Sequence, residues 1–154
     1  PILAEANRLL PLTGVDATAS RSVRMEGTPP AWTTTSPDEL AATVARVTAG
    51  VKHRHRLTGV VAPLELHDMI SAALDPVGLH AVDHLHQLHP GEVPLVDPAQ
   101  VKGLEFDGVV VVEPGTILDG TPRGARLLYV AMTRAVQELH FVTTSPEPPA
   151  PLRF

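Results

Sequence analysis

Four consecutive valines, Val109 to Val112, run without a polar break. A strand with one buried face alternates apolar and polar side chains. An unbroken β-branched run therefore suits a strand covered on both faces, as in the middle of a parallel sheet. A second apolar stretch, Val93, Leu95 and Val96, lies shortly ahead of it. Between the two sits Val101-Lys102-Gly103-Leu104-Glu105-Phe106-Asp107, a short segment with a lysine, a glycine and two carboxylates. Open α/β sheets offer their polar groups to ligands in the crevice beyond the carboxyl ends of the strands, and the segment is expected there. A plain surface turn is the alternative that the residues alone leave open.

The rest of the chain alternates helix and strand. Helical spacing of Ile2, Leu3, Ala6, Leu9 and Leu10 predicts a helix over 1–10. A short strand is read over Val23–Met25 and another over Ala31–Thr35. Ser36-Pro37-Asp38-Glu39 reads as a capping box at a helix start, followed by a stripe of Leu40, Val44 and Val47. Asp38-Glu39 lacks the preceding apolar strand that a magnesium-holding pair of a P-loop ATPase would need, so capping is the reading kept. Leu57–Ala62 is a predicted strand. Pro63–Leu74 is a predicted helix with Leu66, Met69, Ile70, Ala73 and Leu74 inward, stopped by Asp75-Pro76 and Gly78. A short strand over Leu79–Val82 follows. This order predicts a mainly parallel sheet with helices on both faces.

The segment from Arg126 to Ala135 predicts a helix with Leu127, Val130 and Ala131 on one face, leading into a strand over Leu139–Val142. Its two arginines, Arg126 and Arg134, sit on a helix that otherwise looks buried. Buried arginine is rare without an anion, supplied either by a ligand or by a neighbouring carboxylate.

Composition limits the rest. At 154 residues the chain fits one domain, read here as 1–144, with a proline-rich tail, 145–154, expected to be extended or disordered. Hydrophobic residues make up 44% and charged residues 19%, an ordinary globular balance. No apolar stretch nears the roughly 20 residues of a membrane span. The absence of cysteine excludes disulfides and thiolate metal sites and is compatible with a cytoplasmic protein, the expected location. A net charge of −5 argues against a broadly basic surface, so any DNA contact must be local or made by other parts of a longer protein. His84, His86 and His89 cluster without a recognisable pattern of supporting groups, and no metal site is assigned to them.

Lys102-Gly103-Leu104-Glu105-Phe106 before a valine strand, then Leu128-Tyr129-Val130-Ala131-Met132-Thr133-Arg134-Ala135, together resemble motifs V and VI of UvrD/Rep-type superfamily 1 helicases. The motor of that family has two RecA-like domains with ATP between them. The resemblance implies that this chain is most of the second, a three-layer α/β/α RecA-like domain lacking the P-loop itself. It implies that Glu105 meets the ribose of ATP, that Gly103 lets the backbone come close, and that Arg134 reaches the γ-phosphate as an arginine finger. Lys102 and Arg126 would support the same ATP cleft, with purely structural roles as the alternative for both. Tyr129 and Met132 are read as core. Mg2+ would be bound mainly by a missing N-terminal RecA-like domain, the first implied partner, with single-stranded or duplex DNA as the second.

UvrD and Rep carry a large insertion near residues 83–90, and only about ten residues lie there in this chain. That places it nearer the compact HelD-type ATPases that associate with RNA polymerase, which becomes the alternative partner. A non-catalytic interaction domain of the same fold is the rival reading. Two departures bear on helicase activity: Ala99 stands where a DNA-contacting histidine is usual, and Arg123, Gly124 and Ala125 stand where acidic residues are usual. No counterpart is found to the phosphate-contacting arginine that precedes the first helix in the family, so the chain is expected to be a fragment beginning just behind it.

Overall fold

The valine run lies at the centre of the molecule. In the computed structural model, which describes residues 1–14 and 28–153, strand β5 (Phe106–Val112) is fourth from one edge of a sheet ordered β1-β6-β5-β2-β4-β3. The other strands are β1 (Ala31–Thr34), β2 (Thr58–Val61), β3 (His80–Val82), β4 (Glu92–Val96) and β6 (Ala135–Thr143). Among the described residues every pairing is parallel. The predicted strand at Val23–Met25 lies outside the described residues.

Because successive side chains point to opposite faces, the four valines divide between two cores. Val109 and Val111 join Leu139 and Phe141 beneath helices α1 (Ile2–Ala6) and α5 (Pro122–Thr133), which contribute Ile2, Ala6, Leu128, Ala131 and Met132. Val110 and Val112 join Val60, Val93 and Val142 beneath α2 (Leu40–Arg54) and α3 (His67–Leu74), which contribute Leu40, Val44, Val51, Ile70 and Leu74. A short helix, α4 (Pro114–Leu118), joins β5 to α5. The result is the expected three-layer α/β/α arrangement.

Several local expectations are revised. The first helix ends at Ala6 and tightens into a 3₁₀ turn, Asn7–Leu12, where Pro11 has no N–H for the α-helical ladder. Ser36 does not cap α2. Pro37–Glu39 forms a 3₁₀ turn, so the α-helix begins at Leu40, beyond the reach of the Ser36 hydroxyl. Val47 is only partly buried, and Thr43, Thr48 and Val51 complete the inner face of α2. Met69, expected inward, is 44% exposed, because α3 is short and buries only Ile70 and Leu74 fully. On α5 the fully buried stripe is Ala125, Leu128, Ala131 and Met132, with Leu127 and Val130 half-buried on its flank.

The tail is neither helix nor strand, but it does not hang free. Its chain turns at Pro149, whose carbonyl accepts from Leu152 N at 2.8 Å, and Leu152 enters the core against α1 at 4% exposure. Arg153 N donates to Glu5 Oε1 at 2.7 Å. No helix among the described residues is long and apolar enough to cross a membrane.

Candidate nucleotide-facing edge

Strands β4 and β5 run the same way with β2 between them, and Val96 ends level with Val111. Residues 97–105 must therefore travel the length of the sheet before β5 can begin. Asp97 opens this path at the carboxyl end, its Oδ1 accepting from Ala99 N at 2.7 Å to cap the turn Pro98–Gln100. Ala99 is exposed there. Val101 is an apolar anchor, fully buried. A tight turn follows, with Leu104 N donating to Val101 O at 3.1 Å and Gly103 at φ +83°, a conformation that costs glycine little. Lys102, Gly103 and Glu105 are exposed. They lie at the amino end of β5, which corrects the placement at the carboxyl-end crevice; only Asp97 to Gln100 lie at that end.

Arg134 meets them on this edge. It follows α5 directly, and its carbonyl accepts from Phe106 N at 2.9 Å as β5 and β6 begin side by side. The guanidinium is half-buried and donates from Nε to Val130 O at 3.2 Å, from Nη1 to Leu104 O at 3.3 Å and from Nη2 to Thr133 Oγ1 at 3.4 Å. These are long for charge-assisted bonds, and two of the five guanidinium N–H groups remain. Ion pairs among the described residues are Arg8–Glu5, Arg54–Glu138 and His55–Glu138. No carboxylate neutralises Arg134 among the described residues.

Arg126 stands apart. It is exposed near the other end of α5, eight residues or about 12 Å of helix away, and its Nη1 donates to Thr13 O at 2.6 Å. That bond pins α5 to the turn after α1. Met132 is fully buried, and the Tyr129 hydroxyl points at Asn7 Oδ1, 3.5 Å away.

Two surface clefts lie elsewhere. One of about 520 Å³ is bordered by Leu12, Gly14, Leu118 and Pro122, and one of about 390 Å³ by His67, Asp68, Asp83 and His84. Neither is lined by residues 102–105 or Arg134, of which Lys102, Gly103 and Glu105 are exposed and Leu104 and Arg134 half-buried. Among the described residues no group of three or more histidine, aspartate or glutamate side chains is placed to hold a metal.

Three features had no local sequence signal. Thr133 and the Leu104 carbonyl become ligands of Arg134 only through the fold. Glu138 gathers Arg54, at 2.7 Å, and His55, at 2.9 Å, from the end of α2, 84 and 83 residues away in sequence. Burial would raise the Glu138 pKa, but the hydrogen bonds and charge of Arg54, with His55 and His140, outweigh it and hold the carboxyl below its ordinary value. Burial also pushes His140 below the usual histidine range, and its Nε2 lies 2.7 Å from Thr33 Oγ1.

The mainly parallel α/β/α fold is that of a RecA-like domain, and the sequence carries no P-loop motif. Comparison with known proteins then narrows the class. Residues 97–142 match the UvrD-like helicase C-terminal domain, a span that contains both the turn at Gly103 and Arg134. The C-terminal domain of a possible DNA helicase from Lactobacillus plantarum WCFS1 superimposes with a TM-score of 0.67 at 22% identity, covering 94% of this chain and 87% of that one. No curated protein matches significantly. These findings associate the chain with the C-terminal domains of UvrD-family helicases.

Proposed function

We propose that this is the C-terminal motor domain of an ATP-dependent superfamily 1 DNA helicase or translocase, working against an N-terminal RecA-like domain that holds the P-loop and most of the contacts to Mg2+. The observation that carries the reading is Arg134, a guanidinium on an open edge beside Glu105, held by two carbonyls and a hydroxyl, with no neutralising carboxylate among the described residues. Such a cation is suited to an anion arriving from outside the domain. A Cβ built on Gly103 would have nothing within 4 Å, so the backbone there is open to a ligand. Glu105 takes the ribose, Lys102 adds positive charge, and Arg134 stabilises charge on the transferring phosphoryl group. Arg126 serves the same cleft indirectly, by fixing α5 to Thr13. ATP supplies the phosphoryl group, and this chain supplies position and charge.

The chain contains no Gly-x-x-x-x-Gly-Lys-Ser/Thr loop, so by itself it is expected to show no measurable ATP hydrolysis. The test is steady-state hydrolysis by the polypeptide that joins this domain to its P-loop half, with and without single-stranded DNA. Arg134→Ala is expected to lower kcat by about 10³ to 10⁵, the range of arginine fingers. Loss of less than tenfold would refute the finger assignment and favour the non-catalytic interaction domain.

A second reading is favoured by Ala99 and by the net charge of −5: an ATPase that remodels or recycles RNA polymerase. Hydrolysis that depends on Arg134 but ignores DNA selects it. Either motor would act in the cytoplasm.

A further inference from the structure

The bonds of Arg134 come from two directions. Val130 O and Thr133 Oγ1 belong to its own helix, and the Thr133 hydroxyl is itself fixed by donating to Val130 O at 3.1 Å. Leu104 O, 3.3 Å from Nη1, belongs to the turn between β4 and β5. The left-handed φ of Gly103 closes that turn, bringing Leu104 N to Val101 O and leaving the Leu104 carbonyl aimed at α5. The same peptide unit joins Leu104 to Glu105. Glu105 and Arg134 thus sit at the two ends of one short lever, whose angle is set at residue 103.

We infer that Gly103 is a positioning residue for Arg134, acting through the Leu104 carbonyl, so that a ligand on the 103–105 turn sets where the guanidinium points. This rests on the reading of Arg134 as a phosphate-facing cation and adds a coupling to it. A nucleotide sugar engaging Glu105 rotates the 104–105 peptide and carries Arg134 with it. Its two ends are then sensed together rather than independently.

Nuclear magnetic resonance of the chain reads this without nucleotide. Arg134→Lys, which lacks the planar fork, is expected to shift the Glu105 amide nitrogen, because that amide shares the peptide whose carbonyl loses its donor. Gly103→Ala is expected to shift the Arg134 side-chain N–H resonances and speed their solvent exchange about tenfold, the scale of one lost charge-assisted bond. Gly103→Asn, which tolerates left-handed backbone, is expected to restore them toward wild type. An unmoved Glu105 amide in Arg134→Lys overturns the inference. So do unmoved Arg134 resonances in Gly103→Ala when the Leu104 and Glu105 amides have shifted. If Gly103→Ala fails to fold, Arg134→Lys decides alone. In the joined motor, Gly103→Ala should lower kcat counted per folded molecule, with the folded fraction fixed by denaturant unfolding so that lost protein is not read as lost rate, and Gly103→Asn should recover it. Resonances that move as expected while hydrolysis ignores Arg134→Ala would sink the proposed function and leave the tether standing.

Discussion

Two glycines in the matched span are required for opposite reasons. Gly103 needs its backbone angle and has open space around it, whereas Gly124 has an ordinary angle and no space at all. A Cβ on Gly124 would lie 2.2 Å from Leu118 O and 2.6 Å from Ile117 O, because α5 begins against the last carbonyls of α4. Gly124→Ala must therefore push two helices apart. It is expected to cost about 3 kcal/mol, the upper range of overpacking, whereas Gly103→Ala costs about 1 kcal/mol of backbone strain. Denaturant unfolding of both variants checks this, and equal losses would contradict it. The contrast also gives a structural reason for one departure from the family pattern, since an acidic side chain at 124 would meet carbonyl oxygens. Thr121 caps the same helix, its Oγ1 accepting from Gly124 N at 3.0 Å.

At the scale of elements, what was legible in the sequence followed how locally it was encoded. The run from Val109 to Val112 announced a doubly covered strand because alternation along β5 is a property of neighbouring residues. A helix after Ser36 was legible, but its start and the Ser36 cap were not, because a 3₁₀ turn over Pro37–Glu39 moves the first α-helical residue to Leu40, a difference no residue pattern announces. The position of residues 102–105 was missed because it depends on register: Val96 ends level with Val111, so the connection has to return along the sheet before β5 begins, and no local residue pattern shows that. The clasp between α2 and β6 was invisible because Arg54, His55 and Glu138 meet across more than 80 residues.

That clasp has a pH signature. Glu138 faces Arg54 and His55 from α2 and His140 from its own strand, and its folded pKa lies below the ordinary 4.5. The unfolded chain binds its proton first as pH falls, so this contribution is present above 4.5 and is lost through the lower folded value. His140 faces Thr33, Glu138 and Arg54, and its folded pKa lies below 6.5. Here too the unfolded chain takes up the proton first, so stability declines as pH drops through 6.5 and levels off below the folded value. Unfolding free energy measured from pH 8 to 3 should fall in two stages. Glu138→Gln should remove the lower stage and keep the one beginning near 6.5. A wild-type curve flat over that range would refute the account.

For the molecule as a whole, residues 102, 103 and 105 are exposed at the amino end of β5, while the side carrying α1 is covered by the segment around Leu152. Composition made residues 145–154 look like a free tail, since proline supplies no ladder donors and charged or small residues fill much of the rest. One leucine outweighs that tendency. Leu152, at 4% exposure, shares a core cluster with Ile2, Ala6 and Leu9, and the adjacent backbone is fixed to Glu5. The first and last segments therefore stabilise each other, and neither is expected to stay docked if the other is removed. Leu152→Ala should cost about 2 to 3 kcal/mol, lowering the denaturant midpoint with the m-value unchanged, as cavity formation in a packed core does. A disordered tail would give a change within about 0.5 kcal/mol, the usual scale of a surface substitution. The tail is tied to Glu5 of α1, and the side-chain hydrogen bonds of Arg134 go to Val130, Thr133 and Leu104, none of them in the tail. Leu152→Ala in the joined motor should therefore lower thermal stability while leaving the ratio of wild-type to Arg134→Ala hydrolysis unchanged. A ratio that collapses would mean that this packing reaches the nucleotide-facing edge after all.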